Sequence, residues 1–445
     1  MRKFILIDPS IRELGGHYYE YAARVLGEAS RQGFEPILGA NCAARCLGSG
    51  SWRVVPVYRY GFFEPGPPRA IRWAHRMAGL ALHSVRPSLA AAVRRAGAGG
   101  DSGNHPARFR RKRRAFFADT ARFFDAVPLH EGDIVFLPTV AEADMLGLAD
   151  FFRADRTTIK AAWHLLFRRD LPPGDAALQR LRRHFERFQS ERSGHCVSFY
   201  TDTEPLTAQY NGLGGVTFRT LPIPTQSATG HRPPALKSAT REPLRHVVYL
   251  GDARTEKGYH WLPRLVTDAR AAGLAVRFTF QSNFSIAGGE PAVAQARAQL
   301  ESFPPDYGIT LVTEALSSES YSSLLLAADV VIIPYDPAAY RARSSGVFAE
   351  AMAAGIPVIV PEGTWMAEEL RRAGGESGVI YRESQHLARH LAKILGEYDC
   401  YQAAAQNHSH PWSAYHSPQT LFGQLVTRSW HFDSPTGLAA HAILI

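Results

Sequence analysis

The feature that most constrains this chain is an alternation that runs twice. Short apolar, β-rich runs are separated by helical stretches on either side of a polar break. The first series places strands at Phe4–Asp8, Glu35–Leu38, Val54–Val57, Ile134–Leu137, Thr158–Trp163, Val197–Tyr200 and Thr217–Leu221. The second places them at His246–Leu250, Val276–Phe280, Ile309–Val312, Val330–Pro334 and Pro357–Val360, with helices such as Trp261–Ala272 and Tyr321–Ala328 between them. Such alternation is the pattern of a parallel sheet covered by helices on both faces. Between the series, QSATGHRPPALKSATREP is polar, rich in Pro, Ser and Thr, and without apolar periodicity, so 226–243 reads as a linker. The expected class is therefore α/β, with doubly wound domains over 1–225 and 244–417 and a final segment over 418–445. A length of 445 residues suits two cores. Ligands of such sheets sit beyond the carboxyl ends of the strands, here in a cleft expected between the domains.

Composition narrows the class. Apolar residues make up 45% and charged residues 20%, which is globular, and no run approaches the roughly 20 apolar residues of a membrane span. In MRKFILIDPS the apolar part covers only Phe4–Ile7 before Asp8 and Pro9, so it reads as a first strand and not a signal peptide. Only 4 cysteines are present, scattered along the chain, which points to a reducing cytoplasm. Cys42 and Cys46 have no second Cys or His pair at ligand spacing, so no metal site is expected. A formal charge of +9 suits an acidic partner. Within the first domain, about 65–125 forms an insert without clear strands. It contains a helix carrying Ile71, Ala74, Met77 and Ala81, a glycine-rich loop, and the basic run Arg108, Arg110, Arg111, Lys112, Arg113 and Arg114 beside Phe109, Phe116 and Phe117. That run reads either as a solvated helix face or, as preferred here, as a peripheral contact with an anionic membrane. No RNA- or DNA-binding motif accompanies it, so a nucleic-acid partner is not expected.

Several constellations carry chemistry. In YRARSSGVFAEAMAAGIPVIV, residues 340–360, a loop brings Arg341, Arg343 and the backbone N–H groups of Ser344, Ser345 and Gly346 to a helix amino terminus. Such an arrangement is an anion site, although a helix simply capped by Ser344 fits the same residues. Glu350, flanked by small residues, suits the two hydroxyls of a ribose. In LGDARTEKGYHWL, residues 250–262, Arg254 and Lys257 project from a β-to-α loop and complement a diphosphate. Gly15 and Gly16 follow the first strand and open a helix, where a backbone approaches an anion closely. His164 ends a strand in AAWHLLFRRD, where a lone histidine is more often structural than functional, and Arg168, Arg169 and Asp170 lie in the loop beyond. Asp202 reads as a helix cap. Gln281, Ser282 and Asn283 end a strand of the second domain and suit a nucleotide base.

SGVFAEAMAAGIPVIV resembles the donor-site signature of retaining GT-B glycosyltransferases, especially the large family four. The resemblance implies two facing Rossmann-like domains, the first for acceptor and the second for donor, with a helix over Pro418–Arg428 returning to the first domain. It implies that Glu350 binds the nucleotide ribose, that Lys257 and Arg254 hold the pyrophosphate, and that Gly15 and Gly16 touch the diphosphate. His164 would face the donor sugar, while Arg168 and Arg169 would meet the acceptor. The expected reaction moves a sugar from a nucleotide-diphosphate sugar to a glycan, lipid-linked or small-molecule acceptor with retention. The nucleotide sugar is a co-substrate, no other cofactor is implied, and the absence of an Asp-x-Asp at a suitable strand end disfavours the metal-dependent GT-A architecture. Two departures stand out. Ala342 occupies the place of a sugar-contacting glutamate, and Asp252 stands where an arginine normally follows Gly251. Ala342 motivates an alternative, a catalytically weakened relative that binds a nucleotide or glycan as a partner protein.

Overall fold

The computed structural model describes residues 1–13, 16–44, 52–62, 106–154, 161–192, 195–225, 244–284 and 288–430. The helix expected over Ile71–Ala81, the glycine-rich loop, the linker and Gly15 lie outside them. Two compact units emerge, Met1–Leu221 with Leu421–Ile445, and Pro222–Thr420, and each is described by itself.

The first unit holds a sheet of order β3-β2-β1-β4-β5-β6-β7. Its strands are β1 (Lys3–Ile7), β2 (Glu35–Asn41), β3 (Arg53–Tyr58), β4 (Ile134–Leu137), β5 (Ala162–Phe167), β6 (Cys196–Thr201) and β7 (Phe218–Thr220), all paired in parallel. Helices α1 (Gly16–Arg31), α2 (Pro106–Ala126), α3 (Glu142–Ala154), α4 (Asp175–Glu191) and α5 (Glu204–Gly212) connect them. Strands buried on both faces read as unbroken apolar runs, which is why β1 and β4 stand out in the sequence. Residues 158–160 of the expected strand Thr158–Trp163 lie outside the described residues, and its end is corrected from Trp163 to Phe167, because Leu165, Leu166 and Phe167 continue the buried run past His164.

The second unit repeats the plan with order β10-β9-β8-β11-β12-β13. Its strands are β8 (Arg245–Tyr249), β9 (Val276–Gln281), β10 (Ile309–Val312), β11 (Val330–Ile332), β12 (Val358–Pro361) and β13 (Gly378–Tyr381), again parallel. Between them lie α6 (Leu262–Ala271), α7 (Pro291–Glu301), α8 (Ser318–Leu326), α9 (Pro337–Tyr340), α10 (Gly346–Ala353), α11 (Trp365–Arg372), α12 (Leu387–Gly396) and α13 (Tyr398–Tyr415). Val347, Phe348, Ala351 and Met352 of α10 are buried with Val358, Val360, Trp365 and Trp412, and large apolar side chains such as these contribute about 1.5–3 kcal/mol each when fully buried. Gly355 then turns the chain into β12 at φ 64°, and a Cβ there would meet Gln406 Cα at 3.1 Å. The Gly-x-Pro of the motif is thus a helix stop feeding a strand.

Helix α14 (Pro418–Trp430) comes last, and its Leu421, Phe422 and Leu425 are buried in the first unit's core. Phe422 lies 5.1 Å from Phe4 of β1, centroid to centroid. No helix among the described residues is long and apolar enough to cross a membrane.

Candidate functional site

In each sheet the strand order reverses between two neighbours, β1 and β4 in the first, β8 and β11 in the second. The crevice beyond the carboxyl ends at such a reversal is where doubly wound sheets hold ligands.

In the second unit the loop after β8 and the segment after β11 meet at that reversal. Gly251 adopts φ 98° and donates its N–H to Gln281 Oε1 at 2.7 Å. A Cβ at Gly251 would stand 2.9 Å from Lys257 Nζ, so the ammonium rests against the glycine backbone. Gly258 is left-handed, and a Cβ there would be driven to 1.8 Å from the Pro334 carbonyl. Asp336 donates its N–H to the Glu256 carbonyl at 2.9 Å, which pins the two segments together.

On this frame the charges alternate. Lys257 Nζ donates to Asp252 Oδ1 and Arg254 Nε to Asp252 Oδ2, both at 2.6 Å. Glu256 then joins Arg254 and Arg343, each at 3.4 Å. Burial would raise the Asp252 carboxyl, but Lys257 and Arg254 outweigh it and hold it below its ordinary range. The Arg343 guanidinium lies 4.6 Å from the Tyr340 ring, which in turn packs on Tyr335 with centroids 4.4 Å apart. Arg341 is exposed and stands outside this ion-pair chain.

The cap of α10 is Ser345, whose hydroxyl accepts from Phe348 N at 3.2 Å, so the expected cap at Ser344 shifts by one residue. Gly346 is then the first helical residue and is exposed, and Ser344 is partly buried before it. Glu350 is partly buried in the middle of α10, between buried Ala349 and Ala351. Ala342 is fully buried. At the end of β9, the Asn283 carbonyl accepts from Ala253 N at 2.9 Å, while its buried side-chain Oδ1 has no partner among the described residues. Thus Arg254 and Lys257, Asn283, and Arg343, Ser345 and Glu350 lie in the segments that follow the carboxyl ends of β8, β9 and β11.

The first unit departs more from expectation. Gly15 lies outside the described residues, and Gly16 opens α1 at φ 74°, a conformation suited to glycine. His164 is not at a strand end but inside β5, 1% exposed. Its Nε2 lies 2.9 Å from Ser429 Oγ and its Nδ1 3.0 Å from the Tyr200 hydroxyl. Ser429 spends its own proton on the Leu425 carbonyl at 2.8 Å, so His164 Nε2–H donates to it and Nδ1 accepts from Tyr200. Burial, helped by the Arg428 guanidinium, lowers the His164 pKa to about 3. The expectation of a histidine facing the donor sugar is corrected: this imidazole is a neutral, fully bonded core residue.

Arg168, just past β5, donates to Asp202 Oδ2 at 2.7 Å and lies over the Tyr21 ring at 5.3 Å. Asp202 is therefore an ion-pair partner, and the cap of α5 is its neighbour Thr203, which accepts from Leu206 N. Asp8, after β1, is buried, which raises its pKa to about 7 against the pull of Ser10 and Arg168. Arg169 lies 5.5 Å over Phe62. The basic run on α2 is also rearranged. Lys112 pairs with Asp144 at 3.3 Å and Arg113 with Asp150 at 2.5 Å, whereas Arg110 and Arg114 are exposed. Helical periodicity divides the run between faces, so the single cationic surface is corrected to exposed Arg110 and Arg114 with Arg111 partly buried beside them, while Arg108 lies on the other side of the helix.

Glu256, Tyr335 and Tyr340 belong to the second-unit network although no sequence motif assigns them a role, and Asp252 enters only as a departure from the resembled pattern. The only local signal is the density of alternating charge in GDARTEK.

The two sheets and their flanking helices have the GT-B fold, that of two Rossmann-like domains. Residues 245–397, within the second unit, match the family model described as Glycosyl transferases group 1. Among solved structures the chain is similar to an α,α-trehalose-phosphate synthase (UDP-forming) from Burkholderia xenovorans, with TM-score 0.63, 13% identity, and 96% of this chain and 99% of that one covered. It is similar also to a sucrose-phosphate synthase from Thermosynechococcus elongatus, with TM-score 0.58, 13% identity, and coverage of 96% and 98%. A glycosyltransferase from Rickettsia africae matches at TM-score 0.59 with 9% identity, over 96% of this chain and 97% of that one. No curated protein matches the sequence.

Proposed function

We propose that the chain transfers a sugar from a nucleotide-diphosphate sugar to a glycan, lipid-linked or small-molecule acceptor, with retention of anomeric configuration. The observation that carries this reading is the cationic cluster at the β8/β11 reversal, set beside the amino end of α10. As the glycosidic bond breaks, charge builds on the leaving diphosphate. Lys257, Arg254 and Arg343, with the first N–H groups of α10, are fixed where they stabilise it, and one such donor contributes about 3 kcal/mol. Glu350 accepts the ribose hydroxyls, and the unpartnered Asn283 Oδ1 is available to the base. Retention results if the leaving phosphate assists the acceptor hydroxyl on the same face of the sugar. Arg168 and Arg169 serve the acceptor side, with Arg168 already held by Asp202. The UDP-forming enzyme among the similar structures makes UDP the first nucleotide to try. The nucleotide sugar is the only co-substrate in this reading, and no metal or other cofactor takes part.

A second reading rests on Ala342. Where the resembled family carries a sugar-contacting glutamate, this chain has a fully buried methyl group, which suits a weakened relative that binds a nucleotide or glycan for a partner. Incubation with a panel of UDP- and GDP-sugars separates the two. Hydrolysis or transfer supports the enzyme, and nucleotide binding without turnover supports the binding protein. Glu350→Ala is expected to weaken donor binding, and an unchanged donor affinity removes Glu350 from the site. Arg110 and Arg114 keep a peripheral contact with anionic membrane in play. Failure of the protein to sediment with anionic vesicles at low salt removes that contact.

A further inference from the structure

The most unusual element of the second-unit network is a carboxylate placed among its phosphate-binding cations. Asp252 receives Lys257 on one oxygen and Arg254 on the other, both at 2.6 Å. These are the short, charge-assisted bonds that a phosphate oxygen would make with the same two groups. The side chains of Lys257 and Asp252 are only 16% and 18% exposed, so solvent screens the pair weakly.

The cations have little room to turn elsewhere. Lys257 Nζ rests against the backbone of Gly251, and Gly258 packs so closely on the Pro334 carbonyl that no side chain fits between them. The Asp252 side chain, with its short rotatable stem, is the part that is free to give way. Glu256 plays a similar part for Arg254 and Arg343, but at 3.4 Å and with a 35% exposed side chain its hold is weaker. Three cations against two carboxylates leave one net positive charge. That charge is a poor match for a small anion alone.

We infer that Asp252 is a resident counter-anion, which occupies the diphosphate's place on Lys257 and Arg254 and gives way only to a ligand anchored by more than its phosphates. It acts as a specificity-determining residue. Inorganic phosphate and pyrophosphate must compete with a carboxylate already in place, whereas a nucleoside diphosphate adds ribose contacts on α10 and so wins the exchange. The inference rests on the diphosphate reading of the β8 loop, and its test separates the two.

The test is calorimetric titration of the full chain and of Asp252→Asn with inorganic phosphate, pyrophosphate, UDP and GDP, at low and at moderate salt. Asparagine keeps the shape and removes the charge. Asp252→Ser takes its place if thermal melting shows Asp252→Asn to be misfolded. The expected result is pyrophosphate binding roughly tenfold tighter in the variant, with a steeper salt dependence and a smaller preference for UDP or GDP over pyrophosphate. With a turned-over donor, KM and kcat fall together, because the product diphosphate leaves more slowly. Equal or weaker pyrophosphate binding by a folded variant overturns the inference. If pyrophosphate binding tightens while neither protein binds UDP or GDP, the counter-anion stands and the donor reading falls.

Discussion

The loop after β8 and the interior of β5 each present a polar residue that the sequence marks as chemical, and they turn out to be opposites. Lys257 and Arg254 sit on a loop beyond a strand end, share the carboxylate of Asp252, and keep side chains that are partly open to solvent. His164 sits inside a strand, with both ring nitrogens bonded and almost no exposure. The difference is positional. A doubly wound sheet exposes the loops beyond its strand ends and buries the strand interiors, so a shift of the strand boundary decides whether the same side chain is ligand-facing or core.

Two substitutions press on that contrast. Lys257→Ala is expected to lower donor turnover about 100-fold, since it removes a fixed cation from the diphosphate and leaves Asp252 facing Arg254 alone. Stability should change little, because the lost pair lies on a loop. A steady-state assay with the active donor, alongside a thermal melt, checks both halves of this statement. His164→Phe should do the reverse. It leaves the Tyr200 hydroxyl without its acceptor and Ser429 without its donor, at a cost of about 2 kcal/mol. Turnover per folded molecule should be unchanged. A normal denaturation midpoint together with lost activity would return His164 to the active site.

Much of the fold was legible because buried parallel strands are unbroken apolar runs. Ile134–Leu137 and Ile309–Val312 lie where the sequence puts them. β13 escaped notice, since GVIY is short and comes after a glycine-rich stretch. Local chemistry was legible where its partners are close in sequence, as in the loop 251–258, and misread where they are distant. His164 depends on Ser429, 265 positions away, and no local pattern announces that bond. The cap of α5 shows a finer limit. TDTEPL offers both Asp202 and Thr203, and only the pairing of Asp202 with Arg168 leaves the cap to Thr203. The basic run on α2 suggests one cationic face by charge alone, whereas the 3.6-residue period sends Lys112 and Arg113 to Asp144 and Asp150.

Acid and base should also split the first unit's buried groups, with opposite signs. His164 has its folded pKa lowered to about 3, below the roughly 6.5 of an unfolded histidine. The unfolded chain therefore takes up the proton first, and the stability present above pH 6.5 is lost as pH falls towards 3. Asp8 is shifted the other way, raised to about 7 by burial, so the folded chain holds a proton that the unfolded chain has released. Its contribution is complete below about pH 4 and is lost as pH rises through 7. Asp8→Asn removes that loss while keeping an oxygen for the Ser10 N–H, which Asp8 now accepts at 2.8 Å. The variant should therefore gain about 3 kcal/mol more over the parent at about pH 8 than at about pH 4.5, read from denaturant melts at the two values. A gain that is the same at both pH values would mean that Asp8 is charged in the folded unit. Its carboxylate would then be a third member of the Arg168–Asp202 pair, and the first unit's strand ends would carry an ionic network like that of the second.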